Sequence, residues 1–163
     1  MADDPAAPDP PFEHAPVMVE LIVELLRDVP DGIFVDATLG GGGHAEAVLD
    51  AHPGLRLLGL DRDDVAIAAA TRRLARFGDR VRIVRSGFDQ LERIVGEALG
   101  GSGSETDPSD PYPATEGVSA VLFDLGVSSP QLDEMERGFS YRSGAPLDMR
   151  MDRRQAFSAV DVV

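Results

Sequence analysis

Three aspartates, Asp36, Asp61 and Asp124, each stand at the end of a short apolar run, and four consecutive glycines, Gly40 to Gly43, follow the first of them. Strand, acid, glycine turn and then a helix-forming run from His44 to Ala51 is the opening of a nucleotide-binding βαβ unit. The glycines fit G-x-G-x-x-A from Gly40 to Ala45, although four in a row satisfy several registers. Glycine suits such a turn because it adopts backbone angles closed to other residues and lets a ligand approach main-chain N–H groups. Asp61 lies 21 residues after Gly40, near the ~20-residue spacing at which an acid accepts hydrogen bonds from ribose hydroxyls. The alternative is that Asp61 only caps the helix that follows.

Strand ends in a parallel sheet converge on one crevice, so the three acids are expected near one another. Carboxylates repel a pyrophosphate and attract a cation. S-adenosylmethionine carries a sulfonium and an ammonium and no phosphate, which favours it over NAD as the cofactor. Phe88 follows the third strand, where it either flanks an adenine or joins the core. His44 either donates to a ligand carboxylate or caps the turn. Gln131, in Asp124-Leu125-Gly126-Val127-Ser128-Ser129-Pro130-Gln131, offers a donor and an acceptor to a ligand edge. Arg137, Phe139, Tyr141, Arg142 and Arg150 interleave guanidinium groups with aromatics. They either stack and anchor a flipped base or form an ion-pair web with Asp148 and Asp152. His14 and His52 show no partner pattern, and no metal is expected.

The elements that must carry these residues alternate. Met18, Leu21, Ile22, Leu25 and Leu26 recur at helical spacing. Strands are expected at 33–35, 55–60, 81–84 and 118–123. Between them, helices are expected over 44–51, over 64–77 with Gly78 as C-cap, and from Asp89, with Glu92 completing a capping box. Ser158 to Val163 reads as the beginning of another helix. This order predicts an α/β fold, a doubly wound parallel sheet with strand order 3-2-1-4 and a ligand over strands one and four. Residues 1–13 read as a disordered acidic tail and 100–117 as a flexible insertion.

The 163 residues contain no cysteine, and all 15 basic residues are arginine. Thiolate zinc sites, covalent cysteine catalysis, the P-loop lysine and a Schiff-base lysine are therefore excluded within this chain. A formal charge of −14 argues against a broad nucleic-acid footprint. No apolar run approaches the ~18 residues of a membrane span, and the acidic start is unlike a signal peptide. A cytoplasmic location with no membrane partner is expected.

Several blocks resemble the family of bacterial ribosomal RNA small subunit methyltransferase H. They are Glu13 to Met18, Asp36 to His44, Gly59 to Asp63, Phe123 to Asp133, Arg137 to Ser140 and Leu147 to Asp152. The resemblance implies a class I S-adenosylmethionine-dependent methyltransferase fold, present here as an N-terminal portion over 14–163 without the helical insertion and remaining strands. It implies methyl transfer to the N4 amine of a cytidine in 16S rRNA, with small-subunit ribosomal RNA or the assembled subunit as partner. It also implies cofactor contacts by Gly42, Gly43, His44, Asp61, Phe88, Asp124 and Gln131. Asp124 is the candidate proton acceptor, since the stretch after it occupies the place of the acceptor motif in other amino-methyltransferases without matching that motif. An NAD-dependent oxidoreductase domain and an inactive fragment are the competing readings.

Overall fold

In a computed structural model, residues 16–99, 117–141 and 144–163 are described. The expected acidic tail and all but Gly117 of the expected insertion lie outside the described residues, as do His14 and Arg142. Nine regular elements follow in order: α1 (Val19–Leu25), β1 (Gly32–Asp36), α2 (Gly43–Ala51), β2 (Leu55–Asp61), α3 (Asp64–Leu74), β3 (Val81–Arg85), α4 (Leu91–Ala98), β4 (Val118–Leu122) and α5 (Ser129–Asp133).

The four strands form one parallel sheet in the order β3-β2-β1-β4, as the alternation predicts. Every residue of β1 is buried, which fits a central strand covered on both faces. The two-residue side-chain period divides the core into two layers. Phe34, Leu55 and Leu57 pack with Ala45, Val48 and Leu49 of α2 and with Ala70 and Leu74 of α3. Ile33, Val35, Leu58 and Leu60 pack on the other face with Ile94 and Ala98 of α4. Right-handed crossovers running in one direction put α2 and α3 on the same face. The chain reverses direction after β3, so α4 covers the opposite face and β4 comes to lie beside β1. That reversal leaves a crevice at the carboxyl ends of β1 and β4.

The local chemistry departs from expectation at three helix ends. α3 stops at Leu74, and a 3₁₀ turn over Ala75–Arg80 follows. Gly78 (φ 54°, ψ −126°) turns the chain inside that segment and does not cap the α-helix. No capping box forms at Asp89 and Glu92: α4 begins at Leu91 after a 3₁₀ turn over Phe88–Gln90, and Gln90 stands at its N-cap without a side-chain bond to the helix's first N–H groups. The Asp89 carboxylate instead accepts from the Gln90 side-chain amide. Ser158 does form a reciprocal capping box with Asp161, but the turn it opens is the single 3₁₀ turn Ala159–Asp161.

Candidate cofactor crevice

The end of β1 is held by its own acid. The Asp36 carboxylate accepts the N–H of Thr38 at 3.1 Å and is almost completely buried. Burial pushes its pKa up to about 7; the Thr38 N–H opposes this, and the nearby charges of Asp61 and Asp124 add to it. The expected convergence of the three acids is therefore present, with Asp36 behind the crevice wall.

Asp61 is placed by two backbone donors. Gly40 N–H reaches one oxygen at 2.8 Å and Asp63 N–H the other at 2.9 Å. The glycine turn and the end of β2 are thus tied through this carboxylate, and each oxygen keeps a further lone pair. The cap of α3 is Asp63, whose carboxylate accepts from Val65 N–H at 3.0 Å. Capping, the alternative for Asp61, belongs to its neighbour two residues on.

Thr38 anchors the opposite wall, its Oγ accepting the Asp124 N–H at 2.7 Å. The Asp124 side chain is 43% exposed, with its carboxylate 3.8 Å from His44 Nδ1. His44 is buried, and its Nε2 meets the Val17 carbonyl at 2.7 Å. Its contacts are therefore the α1 entry on one side and Asp124 on the other. Phe88 is half-exposed and packs edge-on to Phe123, with centroids 5.9 Å apart and planes at 83°.

These groups border a cavity of about 550 Å³, within the usual range for a small-molecule or cofactor site. His44, Asp61, Phe88, Asp124 and Gln131 all line it. Of the glycines, Gly40 and Gly41 line it, whereas Gly42 and Gly43 stand behind. Gly42 has φ 77°, and a β-carbon there would meet Leu74 and Ala70 at 3.2–3.3 Å. A β-carbon on Gly43 would lie 2.7 Å from Pro16. These two glycines allow the start of α2 to pack closely against α3 and the chain before α1.

Beyond β4, the described residues favour ion pairs over base stacking. Arg137 is buried and pairs with Asp63 at 2.6 Å, a partner not anticipated among Asp148 and Asp152. Its guanidinium also lies 5.9 Å from the Phe139 ring centroid. Arg150 grips Asp148 with two parallel bonds of 2.9 and 2.8 Å, which holds that carboxyl well below the usual range. Tyr141 is fully solvent-facing. Gln131 is buried as well: its Oε1 accepts Ser128 N–H at 3.0 Å, and its Nε2 donates to Asp63 at 3.1 Å. Burial pushes the Asp63 carboxyl up, but Arg137, Gln131 and the Val65 N–H together outweigh it and leave it below the usual carboxylate range. Sequence reasoning missed Thr38 as the anchor of Asp124 and Asp63 as the partner of Arg137. An acid two residues after Asp61 and directly before a helix was the available signal for Asp63.

A doubly wound sheet with an acid-lined crevice at its switch point defines a cofactor-binding α/β domain. The chain belongs to the MraW methylase family, whose profile matches residues 11–163. Its relatives include proteins carrying the name ribosomal RNA small subunit methyltransferase H. The one from Thermobifida fusca is 52% identical over 153 residues, covering 92% of this chain and 42% of the relative. That from Mycobacterium marinum is 46% identical over 172 residues, covering 100% and 40%. Among solved structures, an rRNA methylase from Streptococcus thermophilus is similar over 66% of this chain and 54% of its own, at 20% identity and a TM-score of 0.48. The chain thus spans about two-fifths of the length of the curated relatives it matches. Neither the family nor these relatives supports the oxidoreductase alternative.

Proposed function

We propose that this chain provides the cofactor crevice of an S-adenosylmethionine-dependent methyltransferase of class I type. Its substrate on this reading is ribosomal RNA of the small subunit, with the N4 amine of a cytidine as methyl acceptor. Family membership and the names of the relatives support the reaction and the RNA. The observation that carries the cofactor is the cavity whose acidic lining residues are Asp61 and Asp124. Fixed carboxylates lower the energy of a bound sulfonium and ammonium and raise that of a pyrophosphate.

The residues fit that cofactor. Asp61, oriented by Gly40 and Asp63, keeps lone pairs free for ribose hydroxyls, and Phe88 would flank the adenine. The amino-acid end would fall to Gly41 and His44 at the glycine turn and to Gln131, which line the cavity. When bound, the cofactor supplies a methyl group on a positively charged sulfonium. Asp124, fixed through its N–H by Thr38, would take the proton that the exocyclic amine loses. No helix among the described residues is long and apolar enough to cross a membrane. The ribosomal substrate suits a cytoplasmic protein.

Calorimetric titration of S-adenosylmethionine, with NAD as control, into the chain and its Asp61→Ala variant tests the reading. Binding of the sulfonium cofactor alone, at least about tenfold weaker in the variant, is expected from the loss of charge-assisted hydrogen bonds to ribose. Binding of NAD in its place would overturn it. Turnover on small-subunit RNA that is undiminished in Asp124→Asn at saturating cofactor would remove the acceptor role.

A further inference from the structure

The buried ion pair between Asp63 and Arg137 has no place in the chemistry described above, yet it is bonded to three residues that line the crevice, Asp61, Gln131 and Met151. Both side chains are more than nine-tenths buried. Asp63 Oδ2 receives Arg137 at 2.6 Å and Gln131 Nε2 at 3.1 Å. The Asp63 backbone N–H holds one oxygen of Asp61. The same Arg137 terminal nitrogen also donates to the carbonyls of Arg150 and Met151, at 3.3 and 3.2 Å, and Met151 lines the cavity.

The segment that delivers Arg137 is built to keep it there. Gly138 has φ 73°, and a β-carbon on it would lie 2.3 Å from the Pro146 carbonyl oxygen. Met149 N–H returns to the Arg137 carbonyl at 3.0 Å, with Met149 itself at φ 57°. A second tie lies on the surface, where Arg154 bridges to Asp64 at 3.1 Å. The surface tie is exposed and therefore weak. The buried pair is the one that can fix geometry, because a buried carboxylate and guanidinium tolerate little displacement from each other.

We propose that Asp63 and Arg137 are a positioning pair for cofactor binding: they hold Gln131, Asp61 and the Met151 wall in register across the crevice without touching the ligand. This rests on the cofactor assignment made above. Stabilisation alone is a poor reason for such a pair, since apolar replacements of a buried ion pair are often neutral or stabilising. Its connections to three lining residues supply another.

The test compares wild type, Asp63→Asn, Arg137→Met, Arg137→Lys and the double variant Asp63→Asn/Arg137→Met. Each is titrated calorimetrically with S-adenosylmethionine, and thermal unfolding and the Gln131 side-chain amide NMR resonances are followed without ligand. Each single variant is expected to bind at least tenfold more weakly, with its Gln131 amide protons exchanging faster than in wild type. The double variant, which buries no unpaired charge, is expected to recover most of the lost Tm while its affinity stays low. Recovery of affinity together with Tm would reduce the pair to a purely structural role and overturn the proposal. Wild-type affinity in the single variants would overturn it also. Should Asp63→Asn not fold, Arg137→Lys decides: it keeps the charge, but its shorter side chain does not carry the ammonium to the place of the Arg137 terminal nitrogen that makes all three bonds, and it must still lower affinity. A wild type that binds no S-adenosylmethionine, yet shows the protected Gln131 amide, would count against the cofactor assignment rather than against the tether.

Discussion

Asp36 makes stability fall as pH rises from about 4 to about 7. The carboxyl is 1% exposed and receives a single backbone N–H, from Thr38, so its charged form lacks most of the solvation it has in the unfolded chain. Its pKa rises from 3.8 to about 7. Between these values the folded protein binds a proton that the unfolded chain has released, so unfolding becomes easier with each step up in pH. The loss is about 1.4 kcal/mol per pH unit and roughly 4 kcal/mol in all, and it levels off above pH 7. The depressed carboxyls of Asp63, Asp148 and Asp161 act in the opposite sense. Their stabilisation is present above about pH 4 and is lost only as pH falls below it. Urea unfolding of wild type and Asp36→Asn at pH 5, 6, 7 and 8 isolates the effect, because every other titration is common to both proteins. The stability of the variant relative to wild type should climb steadily from pH 5 to 7 and then stay constant. A difference that is flat over the whole range would mean that Asp36 ionises as a solvated acid, and the buried end of β1 would have to be redrawn.

Two further substitutions probe the frame. In Gly59→Ala the new β-carbon would lie 2.8 and 2.9 Å from the methyl groups of Leu39, a buried residue directly before the glycine turn. Overpacking of that kind should cost ~1–3 kcal/mol, read as a lower urea midpoint; an unchanged midpoint would show that the turn yields freely. Arg93→Ala removes an exposed pair with Glu97 on α4 and an exposed 3.4 Å bond to Gln90, so a stability change above about 0.5 kcal/mol would contradict the low value assigned to such surface contacts.

Local chemistry written in the chain determined the sheet and its cofactor end. Short apolar runs ending in Asp36, Asp61 and Asp124, separated by helical stretches, dictate parallel strands, and the right-handed crossover rule then leaves little freedom in strand order. The glycine turn and the Gly40-to-Asp61 spacing were equally legible, because both are set by residues close in sequence to the strand ends they serve. The tertiary structure decided who pairs with whom. Arg137 comes only within 4.0 Å of its sequence neighbour Glu134, and its short buried bond goes to Asp63, 74 residues away, because the return of the segment after β4 brings that acid into a buried site. Gln131 turns to the same acid for the same reason. Helix ends were also decided this way: Asp89 and Glu92 have the sequence of a capping box, yet the packing of the Phe88–Gln90 turn starts α4 two residues later. Propensities and spacings act over a few residues, whereas a buried charge is satisfied by whatever the folded backbone brings within 3 Å of it.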